Sequence, residues 1–187
     1  MIIKGNNPFV SKSFSNKNRA MRLIWFIVWI LLFRPTPRGM FLWRNILLKI
    51  FGAKLGIHVH IHGSVKIWAP WNLRIGNYVG VGEGANFYSM DLITIKDYAV
   101  ISQGTHLCCG SHDYNASNFQ LFAKPIVIEK RVWLCADSFV GPGVTIAEGS
   151  VIGARGVVSK SISDAWSVWV GVPVKRVGSR KKEQVLA

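Results

Sequence analysis

Three groups of side chains in this sequence could do chemistry. The first is a single histidine, His112, set in Gly110-Ser111-His112-Asp113. An imidazole titrates near working pH, so it can take a proton from a reacting group and return it. The second is the adjacent pair Cys108 and Cys109, close upstream of that histidine. A thiol activated by an imidazole is a nucleophile that forms covalent intermediates. The third is His58, His60 and His62, which alternate and so share one face of a strand, as metal ligands do. Each has a plainer reading. A lone loop histidine is commonly a solvated bystander, and three strand histidines without a cysteine or carboxylate cluster read as strand surface. No metal is expected. Three cysteines in all make an odd count and no disulfide framework, which points to a reducing compartment.

What must position these groups is a repeat. From Ile128 a large aliphatic residue recurs at every sixth position: Ile128, Leu134, Val140, Ile146, Ile152 and Val158. Four places after each stands a small or β-branched residue, among them Val132, Ser138, Val144, Ser150 and Gly156. The rhythm also runs through Ile75, Val81 and Phe87, then Ile95, Ile101 and Leu107, the two sets out of phase by two residues. Between His58 and Trp71 it is hard to hold. A six-residue unit of one short strand and a bend buries nothing alone; stacked coils make the core. The expected fold is therefore mainly β, a parallel β-helix. Cys108 to Pro125 breaks the rhythm and is rich in polar and turn residues. A long loop between regular coils is usually functional, and this one holds His112, with Tyr114, Phe119 and Phe122 as potential anchors.

The remaining signal is charge. The chain has 187 residues, 50% hydrophobic, with a formal net charge of +14. That apolar content excludes a disordered chain. No Asp or Glu precedes Glu83, whereas twelve Lys and Arg do, so the first 82 residues carry +12 of the total. Leu23 to Phe33 is an apolar run of eleven residues, where a membrane-spanning helix needs about 20. Lys12, Lys17, Arg19 and Arg22 precede it; Arg34 and Arg38 follow, then a second apolar segment, Phe41 to Phe51, with Arg44 and Lys49. Cationic, Trp-rich helices of this kind lie in the bilayer interface, so residues 1–54 are expected to meet an anionic membrane surface. Packing of both helices on the rest of the protein is the alternative. No cleavage site follows the apolar run, and no basic stripe forms a nucleic-acid-binding motif, so neither a secretory leader nor a nucleic-acid partner is expected. The organisation read here is a basic helical segment over 1–56, a β-helix over 57–170 and a C-terminal extension over 171–187.

The hexads resemble those of the left-handed β-helix acyltransferases, the hexapeptide-repeat family. Gly110-Ser111-His112-Asp113-Tyr114 is similar to that family's histidine loop, and Val132-Trp133-Leu134 to its V-W-I segment. Val140-Gly141-Pro142-Gly143-Val144 matches its glycine-rich coil, and Gly171-Val172-Pro173-Val174-Lys175 its closing segment. Leu32-Phe33-Arg34-Pro35-Thr36-Pro37-Arg38 and Ile67-Trp68-Ala69-Pro70-Trp71-Asn72-Leu73 resemble the colanic acid biosynthesis acetyltransferase branch. One departure is Lys130-Arg131, which replaces the usual glycine-containing turn.

The resemblance implies a left-handed helix and transfer of an acetyl group from acetyl-CoA to a sugar hydroxyl, with His112 as general base and direct attack on the thioester. Backbone N–H groups beside the loop would stabilise the oxyanion. It implies a homotrimer with the coenzyme between subunits, the pantetheine arm against Trp133, Ala136, Gly141 and Ala154, and Ser159, Lys160 and Lys175 meeting its amides and phosphates. On the acceptor side Glu83, Asn86 and Asp91 are candidates; Asp113 either orients the imidazole or caps a turn. The acceptor is a saccharide of a surface glycan, free or lipid-linked, and the address is the cytoplasmic face of the bacterial inner membrane. A free small sugar, amino sugar or antibiotic as acceptor, and a non-catalytic β-helix scaffold, are the alternatives.

Overall fold

A computed structural model describes residues 11–182. The first ten residues of the expected membrane-facing segment and the last five of the C-terminal extension lie outside them. From Lys54 the chain winds into a three-faced prism of parallel strands, most of them two or three residues long. The first face stacks Lys54–Leu55, Leu73–Ile75, Ile93–Ile95, Ile126–Ile128 and Thr145–Ile146. The second stacks His60–Ile61, Gly80–Val81, Val100–Ile101, Trp133–Leu134, Val151–Ile152 and Ser167–Gly171. The third stacks Lys66–Ile67, Asn86–Tyr88, His106–Cys108, Phe139–Val140 and Val157–Val158.

The aliphatic series explains why the prism closes. Ile128, Leu134, Val140, Ile146, Ile152 and Val158 are all fully buried, as are the small residues Val132, Ser138, Val144 and Ser150. Apolar residues on each face of successive coils therefore stack in columns, and burial of such columns is the main favourable term. The two-residue phase shift has a structural cause. In the early coils cross-strand partners stand twenty residues apart, as Lys66 with Asn86 and Asn86 with His106, whereas Phe139 pairs with Val157 after eighteen. The surplus sits at one corner, between the third and first faces, where Pro70–Asn72 forms a 3-10 turn and Ser89–Leu92 its counterpart one coil up. The long loop leaves from that same corner, after Cys108. The first coil, obscure in sequence, begins at Lys54–Leu55, three residues before the expected boundary; Leu55, Ile61 and Ile67 are its inward positions.

At the corner between the first and second faces, His58, Tyr78, Tyr98 and Arg131 all take positive φ. Their side chains stack: His58 on Tyr78 at 5.0 Å, Tyr78 on Tyr98 at 5.1 Å, and Arg131 over Tyr98 at 5.4 Å. Left-handed backbone costs a non-glycine residue about 1 kcal/mol, and the stacking offsets it, so Arg131 holds a position where glycine is the usual solution.

The two ends are covered. Helix α1 (Asn16–Val28) continues through a π-helical turn, Trp29–Phe33, and packs on the third face. The Trp25 indole donates to Ile67 O at 2.7 Å and the Trp29 indole to Val65 O at 2.8 Å. Helix α2 (Phe41–Ile50) contacts the strands and turn of the first coil, with Leu48 wholly buried. Arg44 on α2 is also wholly buried. Its guanidinium donates to Ile61 O (2.6 Å), Pro37 O (2.9 Å), Arg38 O (2.7 Å) and the Thr36 hydroxyl (2.8 Å). Arg44 is therefore no surface cation, as its place in a basic segment suggested; it pins the turn between the helices. At the other end Ser167–Gly171 folds back antiparallel onto Val174–Ser179.

The amino-terminal helices pack on the prism along one side and leave the other side exposed. Trp25 and Phe33 belong to the core, but the opposite side of α1 and the π turn exposes Leu23 (61%), Ile24 (54%), Phe26 (54%), Ile27 and Leu31 (63%). Leu42 and Ile50 of α2 are exposed too. No helix of the described residues is long and apolar enough to cross a membrane.

Candidate active site

The long loop is an antiparallel hairpin. Gly110–His112 pairs with Leu121–Ala123, His112 opposite Leu121. The His112 ring stacks on Phe119, centroids 4.5 Å apart, and its Nδ1 lies 2.9 Å from Phe119 O. A carbonyl oxygen can only accept, so Nδ1 carries a proton, and in the neutral ring the lone pair is on Nε2. That is the arrangement of an oriented proton acceptor. Phe119 takes φ +48 to present its carbonyl there. Of the expected aromatic anchors, Phe119 holds the histidine and Phe122 lies under Lys124, but Tyr114 is 82% exposed and anchors nothing. Asp113 accepts from Asn115 N at 3.0 Å: of its two roles, it caps the turn.

The thiols are poor nucleophiles. Cys109 is wholly buried, and burial pushes its pKa up to about 12. Burial also raises that of Cys108, whose Sγ donates to Gly110 O. Both remain protonated at neutral pH, and a thiol without its thiolate is inert.

On the acceptor side the structure separates the candidates. Asn86 lies on the third face, one strand below His106 and beneath the loop's point of departure. Asp91 is at the loop's own corner; its carboxylate accepts from Leu92 N at 2.7 Å, and the Cys109 thiol reaches its backbone. Glu83 sits at a different corner, between the second and third faces, 3.4 Å from His62 Nδ1. Burial, with Arg38 nearby, lowers the His62 pKa, so at neutral pH this contact is a hydrogen bond from a neutral ring. Glu83 does not join Asn86 and Asp91 because the polarity of a corner residue is read from sequence but the corner it occupies is not. Sequence reasoning missed Tyr88 and Met90. Both pack against Gly110, where a side chain would collide with Met90 and meet Tyr88 Cε1 at 3.2 Å. The available signal was that Trp68, Tyr88 and Cys108 recur every twenty residues.

The donor-side candidates also divide. Trp133 projects from the second face, 44% exposed, its indole donating to Ser102 Oγ at 3.0 Å. Ala136 and Ala154 stack at the corner between the second and third faces, eighteen residues apart. Gly141, Ser159 and Lys160 stand at the other end of the third face, on the corner shared with the His112 loop. Lys175 is exposed on the terminal hairpin. These residues occupy two edges of one prism, so a single groove on one chain cannot take in both.

His58, His60 and His62 have separate partners. His58 stacks on Tyr78, His60 on Phe41 at 4.5 Å, and His62 meets Glu83. Among the described residues no group of three or more His, Cys, Asp or Glu could hold a metal ion.

Comparison with known proteins agrees with this architecture. No family model matches the chain. The inferred colanic acid biosynthesis acetyltransferase WcaF of Escherichia coli is 45% identical over 153 residues, covering 82% of this chain and 84% of that protein. Among solved structures, a galactoside acetyltransferase with coenzyme A superposes with a TM-score of 0.82 at 24% identity, over 91% of this chain and 86% of the other. A hexapeptide-repeat acetyltransferase of Vibrio cholerae with acetyl coenzyme A gives 0.81 at 22%, over 91% and 92%. The inward-facing hexads, the hairpin that carries His112 and the identity with WcaF over most of both chains together establish that this chain belongs to the hexapeptide-repeat acetyltransferase family.

Proposed function

We propose that this chain is an O-acetyltransferase that moves the acetyl group of acetyl-CoA onto a hydroxyl of a saccharide destined for a surface glycan. The observation that carries this reading is the Nδ1 contact of His112 with Phe119 O, which fixes the ring and, in its neutral form, leaves the lone pair on Nε2. In the mechanism, Nε2 removes the acceptor hydroxyl's proton as its oxygen attacks the thioester carbonyl. The tetrahedral adduct collapses, the C–S bond breaks, and the imidazolium protonates the departing thiolate, giving the sugar ester and free coenzyme A. The raised thiol pKa values favour this direct route over an acyl-enzyme on cysteine.

The likeness to WcaF supports a polysaccharide precursor as acceptor. The division of donor-side residues between two prism edges supports a homotrimer: one subunit contributes Trp133, Ala136 and Ala154, and its neighbour contributes the edge bearing Gly141, Ser159, Lys160 and the His112 loop. The exposed apolar side of α1 and the π turn, with Lys12, Lys17, Arg19 and Arg34 around it, supports residence on the cytoplasmic surface of an anionic membrane. The test is mass spectrometry of the surface glycan with and without the gene. The expected result is an acetyl group that disappears in the deletion and is removable by mild alkali, as an ester is. An unchanged glycan, or an alkali-stable acetyl group, refutes the reading.

A further inference from the structure

A cavity of about 520 Å³ lies between α1 and the third face. Its walls combine two kinds of surface. Arg19, Arg22 and Lys66 supply three cations, and among the described residues no carboxylate lines it. Leu23, Trp25, Phe26, Trp29 and Ile67 supply an apolar lining, with the Trp25 and Trp29 indole N–H groups already spent on backbone carbonyls. Arg22 is held in place. Its Nε donates to Asn18 Oδ1 at 2.9 Å, and its guanidinium lies over the Trp68 ring at 4.3 Å and the Phe14 ring at 5.0 Å. Among the described residues its Nη groups have no acceptor, and Arg19, Arg22 and Lys66 enter no ion pair. A fixed fork of unused donors in a partly apolar site suits a phosphate oxygen.

Two continuities say where such a ligand comes from and leads. Leu23 and Phe26 line the cavity and also belong to the exposed apolar side of α1, so its mouth opens onto the surface assigned to the membrane. Asn86 and Tyr88 form the inner wall, and Tyr88 packs against Gly110, on the strand that ends in His112. A flat nucleotide base is poorly served, because Arg22 already covers Trp68.

We propose that this cavity is the subsite for the phosphate or diphosphate head of a lipid-linked saccharide acceptor. The lipid chain leaves along Leu23 and Phe26, and the sugar points past Tyr88 toward His112. This rests on the reading of the protein as a saccharide acetyltransferase at a membrane surface, and it names what that acceptor is carried on. The test is calorimetric titration of the full chain, without acetyl-CoA or vesicles, using geranylgeranyl diphosphate as probe. Geranylgeraniol, inorganic pyrophosphate and UDP-glucose serve as comparators.

The diphosphate lipid is expected to bind about tenfold or more tightly than each comparator. Arg22→Gln is expected to weaken it about tenfold, the effect of one charge-assisted bond. Lys66→Gln, on an exposed side chain whose replacement leaves the fold intact, is expected to weaken it about threefold; Arg74→Gln on the first face should have no effect. UDP-glucose binding as tightly as the lipid, or affinity indifferent to both Arg22→Gln and Lys66→Gln, overturns the proposal. Because no acetyl transfer is measured, an error about His112 leaves this result untouched. Conversely, acetylation of free saccharides without lipid diphosphate binding sinks the subsite alone.

Discussion

His112 provides a decisive perturbation, because its structural and chemical contributions differ in size. Replacing it with Ala removes one hydrogen bond to Phe119 O and one ring stack, on a hairpin open to solvent. Each contact is worth about 1 kcal/mol, so the variant should lose about 1–2 kcal/mol of stability, within the margin of a folded domain. His112→Gln should lose less, since its amide can still donate to that carbonyl. Neither side chain can accept the hydroxyl proton. General-base catalysis contributes about 10²–10⁴ in rate, or about 3–5 kcal/mol on the barrier. The assay is release of the coenzyme A thiol from acetyl-CoA with saccharide acceptors, alongside the melting temperature of each variant. Both should fold and assemble as the parent does, with turnover reduced about a hundredfold or more. Turnover of His112→Gln within about tenfold of the parent would show that the His112 imidazole has no part in the reaction as a base.

Three further outcomes are expected. Leu23→Gln, Phe26→Gln and Leu31→Gln combined should abolish co-sedimentation with anionic vesicles without unfolding the chain. These outward residues are a cleaner perturbation than deleting residues 1–40, which also removes the core residues Trp25 and Phe33; undiminished co-sedimentation would disprove the membrane face. Arg44→Met should strip donors from three carbonyls and the Thr36 hydroxyl, costing about 3 kcal/mol and lowering the melting temperature by about 6–12 °C. An unchanged melting curve counts against that network. Finally, burial lowers the pKa of His106, whose Nε2 is buried without a partner, and of His62. The unfolded chain therefore binds protons that the folded chain refuses as pH falls through about 6.5, and stability present above that value is lost below it. His106→Leu should flatten this acid slope in urea titrations between about pH 7 and 5.

The sequence alone determined the prism and the place of the candidate base. A six-residue repeat is a local property, and burial of Ile128, Leu134, Val140 and their successors follows from periodicity without knowledge of any partner. The interruption after Leu107 likewise located the loop, and the one histidine in it is the proposed base. What only the tertiary structure decided is which edge each remaining residue occupies. Corners of the prism look alike in sequence, since each is a short run of turn residues between two inward aliphatic positions. Glu83 and Asn86 are three residues apart, yet one faces His62 at a corner and the other lies on the face beneath the loop. Charge misled in the same way: Arg44 reads as one more surface cation but is fully buried among carbonyls, while Arg22 is stacked on Trp68 with donors to spare. Stacking and hydrogen bonds of this kind join residues that are far apart along the chain, such as Arg22 and Trp68 or Trp25 and Ile67. Their energies depend on distances that no local pattern encodes, so they exist only once the coils and the helices have closed on one another.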